Sequence, residues 1–240
     1  MADFNTHLTT STAIGAIYGI AGYTHWDMPL PTCLVAAGLC SVAGMLPDVD
    51  SDSGRPQREV MNFAAAVTPM LMIDRFALLG LSHESMVLAG GCVYILVRFG
   101  CGELLKRYTV HRGMWHSIPA AVMAGLVAWL VCSCEDVSLR VFKVAAVVIG
   151  YSTHLVLDEL WAIRLQRGRL RIRRSLGTAL KFFSRHWWPN ISTYGILLLL
   201  GALAFGDPLI MERYGADPSG VQQMARDWVD HTLKEFFAVQ

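Results

Sequence analysis

Seven apolar runs, at about residues 9–24, 32–46, 60–80, 85–99, 115–133, 140–161 and 190–207, constrain this 240-residue chain more than any other feature in it. A helix that crosses a bilayer needs roughly 20 apolar residues, so several of these runs cross only if tilted or sheltered by neighbours. With 54% of residues hydrophobic, 16% charged and a mean hydropathy of +0.41, the chain is too apolar for an ordinary water-soluble domain. The expected fold is all-α: a polytopic membrane bundle of about six or seven apolar helices over residues 1–207, followed by an amphipathic helical tail within 208–240. The weakest run is 60–80, which holds Pro69 and the adjacent Asp74 and Arg75; its alternative is a partly buried surface helix.

A net charge of +1 hides an uneven distribution. With seven crossings and the amino terminus inside, 14 of the 20 basic residues fall in inner loops, eight of them between Arg164 and Arg185, and Arg75 is left within a span. Lysine and arginine concentrate on the cytoplasmic side of membrane proteins, which supports this orientation. The basic 162–186 connector needs no nucleic acid to explain it, since anionic lipid headgroups attract such a loop. Within it Leu170-Arg171-Ile172-Arg173 alternates like a short strand. The amino terminus has no basic leader and no small-residue cleavage site, so the first run is expected to stay as a membrane helix. The six cysteines form no metal-ribbon spacing and read as small core residues, although Cys132 and Cys134 share a loop. In the tail, Asp217 and Pro218 open a stretch to residue 238 in which Val221, Met224, Ala225, Trp228, Thr232 and Phe236 recur at helical spacing. It packs on the body or lies along the lipid interface.

Ionisable groups are costly beside such runs, and they cluster. His154 and Asp158 are four apart, so one helix face presents both about a turn from each other. Without a metal they would serve as a helix–helix contact. His111 and His116 flank Gly113, whose freedom allows a bend that aims both imidazoles at one point, while Arg112 suits an anion and Ser117 a helix cap. The plain alternative is a basic loop with incidental histidines. Pro47 stops a helix, and Asp48 and Asp50 follow, as cation ligands or as a simple loop. Asp48, Asp50, Asp52 and Glu59 also match calcium-loop positions, but Ser53 stands where that loop needs glycine. His7 precedes the first run on the same expected face. Glu159 lies on a different helix face from His154 and Asp158 and is a weaker candidate.

Thr6-His7-Leu8, Leu46-Pro47-Asp48-Val49-Asp50, His111-Arg112-Gly113-Met114-Trp115-His116-Ser117 and Gly150-Tyr151-Ser152-Thr153-His154-Leu155-Val156-Leu157-Asp158 come in the order of the YdjM-like family, and from residue 5 to about 175 the chain resembles it. That LexA-regulated inner-membrane family is grouped with metal-dependent hydrolases and is distantly similar to zinc-dependent phospholipase C and single-strand nucleases. Asp158-Glu159-Leu160-Trp161 departs from the threonine-proline turn common there, and the tail after 207 is additional.

The resemblance and the residues together imply a hydrolase in the bacterial inner membrane, acting on a phosphoester in a lipid or lipid-linked substrate. His7, Asp48, Asp50, His111, His116, His154 and Asp158 are the expected ligands, for zinc in the first place and manganese or magnesium otherwise, near the cytoplasmic face. Asp50 is the candidate general base, and Arg112 the group that steadies charge on the substrate. The partners are the bilayer and its lipids, with no nucleic acid. The alternative is a non-enzymatic membrane protein that uses the cluster for structure or regulatory binding. A transporter fits less well, because the clusters gather near one face and not at the midplane of inverted repeats.

Overall fold

A computed structural model describes residues 3–50, 55–101, 114–134, 136–166, 169–172, 177, 179–184 and 186–215, with scattered positions from 219 to 231. Helix α1, Phe4–His25, starts at Asp3, whose carboxylate accepts from the Thr6 amide at 3.0 Å. Pro31 in the first turn opens α2, Leu30–Ala43, and Gly44 closes it. Pro47 then forces a tight 3₁₀ turn, Leu46–Asp50. Helix α3 runs Arg55–Leu71, α4 Ile73–Leu78, and α5 His83–Ile95, which continues as a π-helical turn over Leu96–Cys101. Ser117 caps α6, Ile118–Val131, and α7 is the long Val137–Ala162. Two short strands follow, β1 Ile163–Gln166 and β2 Arg169–Ile172, paired antiparallel with Ile163 opposite Ile172. Helices α8, Trp187–Phe205, and α9, Pro208–Arg213, complete the body.

Among the described residues the fold is therefore helical apart from this hairpin, which contains Leu170 to Ile172 of the alternating stretch. Among the described residues, α7 and α8 are long and apolar enough to cross a membrane, and α2 and α6 are shorter apolar helices. The 60–80 run is not one span. A break at Met72, three residues after Pro69, separates α3 from α4 and carries Arg75 out of the span expected for it. In the tail, positions 219–220, 223–224, 227–228 and 231 are helical, and Met224 and Trp228 are exposed.

Packing is inverted relative to a water-soluble bundle. On α1 the buried residues include Ser11, Gly15, Gly19 and Gly22, whereas Ile17 is 67% and Ile20 64% exposed. Helix α5 buries none of its residues, and α8 turns Leu198, Leu199 and Leu203 outward. Small residues let helix backbones approach closely while large apolar side chains face hydrocarbon, which is the pattern of helix packing in lipid. A Cβ at Gly15 would stand 2.6 Å from the Ala37 carbonyl oxygen, and one at Gly150 would collide with the Cys40 carbonyl. These contacts pack α2 between α1 and α7, with Cys33, Ala36, Cys40, Phe142 and Ala146 as the shared core. Cys33, Cys40 and Cys132 are buried and unpaired, as small core residues should be, whereas Cys92 is exposed.

Candidate metal centre

Five of the expected ligands meet where α1, the 3₁₀ turn, the entry to α6 and the last turns of α7 converge. His7 comes from the first turns of α1, Asp48 from the 3₁₀ turn, His116 from the residues before α6, and His154 and Asp158 from α7. His154 is 0%, His7 1%, His116 3% and Asp158 8% exposed. Asp48 is the most open of the five, with 17% of its side chain accessible. The side chain of Asp50, and His111 and Arg112 altogether, lie outside the described residues.

The donor atoms enclose a small space. His116 Nε2 is 3.6 Å and His154 Nε2 3.7 Å from Asp48 Oδ1, and both are 3.9 Å from Asp158 Oδ2. His7 Nε2 is 3.4 Å from the other oxygen, Asp158 Oδ1. These separations are long for hydrogen bonds, but two ligands about 2.0–2.1 Å from a tetrahedral zinc stand about 3.4 Å apart. His7, His154 and Asp158 form one group of potential ligands, and Asp48, His116 and His154 a second.

Neighbouring groups fix the orientation of these donors. His154 Nδ1 lies 2.8 Å from the Gly44 carbonyl, which can only accept, so Nδ1 carries the proton and Nε2 presents a lone pair. That lone pair faces the carboxylates of Asp48 and Asp158, a repulsive arrangement without a cation between them. Among the described residues, His154 Nε2 and both ring nitrogens of His116 are buried without a hydrogen-bond partner, a costly condition that ligation of a metal would relieve at His154 Nε2 and at one nitrogen of His116. The donor set of imidazoles and carboxylates suits zinc. Burial pushes the Asp48 carboxyl up, but the surrounding imidazoles of His116, His154 and His7 outweigh it and hold the group below its ordinary value.

Further contacts hold the loops that carry the ligands. The Tyr151 hydroxyl, one turn before His154, donates to the Trp115 carbonyl and pins the segment bearing His116. Ser117 acts as the cap its sequence predicts, accepting from the Ala120 amide at 3.4 Å. The Glu159 carboxylate accepts from the amides of Gly177 and Ala179, each at 2.7 Å, so it anchors a loop and stays out of the ligand cluster.

Residues 1–169 match the model of the YdjM inner membrane protein family. The chain belongs to this family. The matched region contains every site residue expected from the sequence, and this YdjM protein adds α8 and its tail beyond it. No curated protein and no solved structure gives a match.

The sequence reading missed a second polar cluster in this YdjM protein. Arg140, 1% exposed, donates from both terminal nitrogens to Asp207 at 2.9 and 2.7 Å, and Arg75 reaches the same carboxylate at 2.7 Å. The Arg140 guanidinium also bonds the Trp129 carbonyl and lies 4.2 Å over its ring. Arg140 and Asp158 are 18 positions apart on α7, about 27 Å along the helix, so this clamp closes the end of the bundle away from the histidines. Arg75 and Asp207 are 132 positions apart, and no local pattern signals the pair.

Proposed function

We propose that this YdjM protein is a membrane-embedded, metal-dependent hydrolase acting on a phosphoester in a lipid or lipid-linked substrate. The observation that carries the proposal is the convergence of His7, Asp48, His116, His154 and Asp158, with an unprotonated His154 nitrogen aimed at two carboxylates. Zinc suits these donors best, with manganese or magnesium as alternatives. A metal bound there supplies a Lewis acid for a phosphoryl oxygen and a means of activating water near neutral pH. Gly44 and Tyr151 keep His154 and the His116 segment oriented, so little reorganisation is needed when substrate arrives. Asp48, the most accessible donor, marks the side from which substrate enters. Asp50 keeps its role as general base and Arg112 as the contact for the substrate anion, both assigned from the sequence.

In this proposal α1, α2, α3, α5, α6, α7 and α8 cross the bilayer, and the site sits at the cytoplasmic end, where the basic loops draw anionic headgroups. The direct test is metal analysis of purified protein beside a His154→Ala/Asp158→Ala variant, followed by phosphate release from lipid phosphoesters with and without chelator. Equal metal content in the two proteins would sink the site. Near-complete burial of three histidines favours a second reading, a non-enzymatic protein whose metal holds four chain segments together. It predicts metal retention without turnover of any phosphoester.

A further inference from the structure

The clamp of Arg140, Arg75 and Asp207 holds one charge too many. Among the described residues, Asp207 is the one carboxylate paired with either guanidinium, so two cations share a single anion. Asp136, at the head of α7, turns its Oδ1 to the amides of Ser138 and Leu139 instead. Two donors are also left over. Arg140 spends its guanidinium on Asp207 and the Trp129 carbonyl, whereas Arg75 reaches Asp207 through Nη2 alone. Among the described residues, Arg75 Nε is buried without a hydrogen-bond partner, and so is the indole Nε1 of Trp129, whose ring lies under Arg140. A surplus buried cation and orphaned N–H groups are both costly, and an oxyanion relieves both at once.

We propose that this end of the bundle binds a phosphate-class oxyanion, carried by a phospholipid headgroup, with Arg75 as its principal contact. The backbone at Arg75 is held in place: its amide donates to Ser133 Oγ at 3.0 Å, and that hydroxyl donates to the Leu71 carbonyl at 3.3 Å. The guanidinium is also reachable, with 26% of the Arg75 side chain exposed against 2% for Arg140. Arginine suits phosphate because its planar fork offers several N–H donors at once, and Arg75 has Nε to spare. Ile73 and Phe205, two residues before Arg75 and Asp207, are 54% and 66% exposed and offer acyl chains an apolar surface beside the charge. Only the choice of leaflet, the one away from the histidines, rests on the crossings proposed above; the site needs no metal.

The test titrates the full chain, purified in nonionic detergent, with dioctanoyl phosphatidylglycerol, phosphate-free dioctanoylglycerol and inorganic phosphate, and counts bound molecules by native mass spectrometry. Wild type is expected to bind phosphatidylglycerol and not dioctanoylglycerol, and Arg75→Gln to bind the former about tenfold to hundredfold more weakly. Arg75→Lys keeps the charge without the Nε–H and should lose affinity several-fold. Both variants leave the Arg140–Asp207 pair in place, and melting temperatures report whether each is folded; if glutamine does not fold, lysine decides. Lipid taken up at the histidine end is common to all three proteins and cancels in the comparison. Inorganic phosphate bound as tightly as the lipid, and weakened by the same variants, supports the oxyanion site with a free ion as its occupant. Equal binding of the two lipids, no binding of lipid or phosphate, or an affinity unchanged in the deciding variant overturns the site and leaves water as the partner of the orphaned groups.

Discussion

Replacing Asp207 with asparagine tests the clamp at the end of the bundle opposite the histidines. The carboxylate receives two bonds from Arg140 and one from Arg75, at 2.7–2.9 Å, and is 3% exposed. Charge-assisted bonds contribute about 1.5–3 kcal/mol each, so three bound the loss at about 4.5–9 kcal/mol. They share one carboxylate and do not add. Removing one partner of a buried ion pair costs about 3–5 kcal/mol, because the opposite charge stays buried, and that is the expected effect. For a chain of this size it corresponds to a fall of roughly 6–20 °C in melting temperature. Thermal denaturation in detergent, monitored by circular dichroism, should show the fall for Asp207→Asn and no change for the exposed Glu212→Gln. The apolar pair Arg140→Met/Asp207→Leu should recover most of the loss, as buried ion pairs often do when both partners are replaced. A shift below about 3 °C for Asp207→Asn would refute the clamp.

Burial raises the Asp207 carboxyl, but Arg140 and Arg75 more than reverse this and hold it below the ordinary carboxylate value. Its contribution is therefore complete above the unfolded value and lost as pH falls through the lower folded one, so melting curves should drop steeply below about pH 4 in wild type and more shallowly in Asp207→Asn. Tyr151→Phe removes the bond to the Trp115 carbonyl; zinc affinity measured by competition with a chelating dye should weaken about tenfold to a hundredfold while melting changes little. Gly150→Val drives side-chain atoms into the Cys40 carbonyl and should cost about 1–3 kcal/mol or more in stability, together with metal, since His154 lies one turn away. Normal melting and metal content in that variant would show that α2 and α7 pack less closely than described.

What could be read from the chain is local or ordered. The four-residue interval between His154 and Asp158 translates directly into one helix face, and Pro47 announces the turn that presents Asp48. The arginine–aspartate clamp was illegible because its members come from α4, α7 and the start of α9, where each looks like an ordinary charge at a helix end. Helix α7 begins at Val137, three residues before its apolar run, and this extension places Arg140 inside the helix. The buried face of α1 was written in Ser11, Gly15, Gly19 and Gly22, a small-residue spacing that apolar-run counting passes over. The stacking of the His7 ring on His154 could not be read from spacing at all, since it is a property of the assembled helices.

The Gly44 carbonyl belongs to the end of α2, where a helix leaves acceptors without backbone partners, and His154 on α7 supplies the missing donor. Docking these two helices and selecting the tautomer of His154 are thus a single molecular event. Loosening this pairing would free the His154 ring and weaken the seam between the two helices together, so the orientation of the side chain and the integrity of the scaffold are not separable.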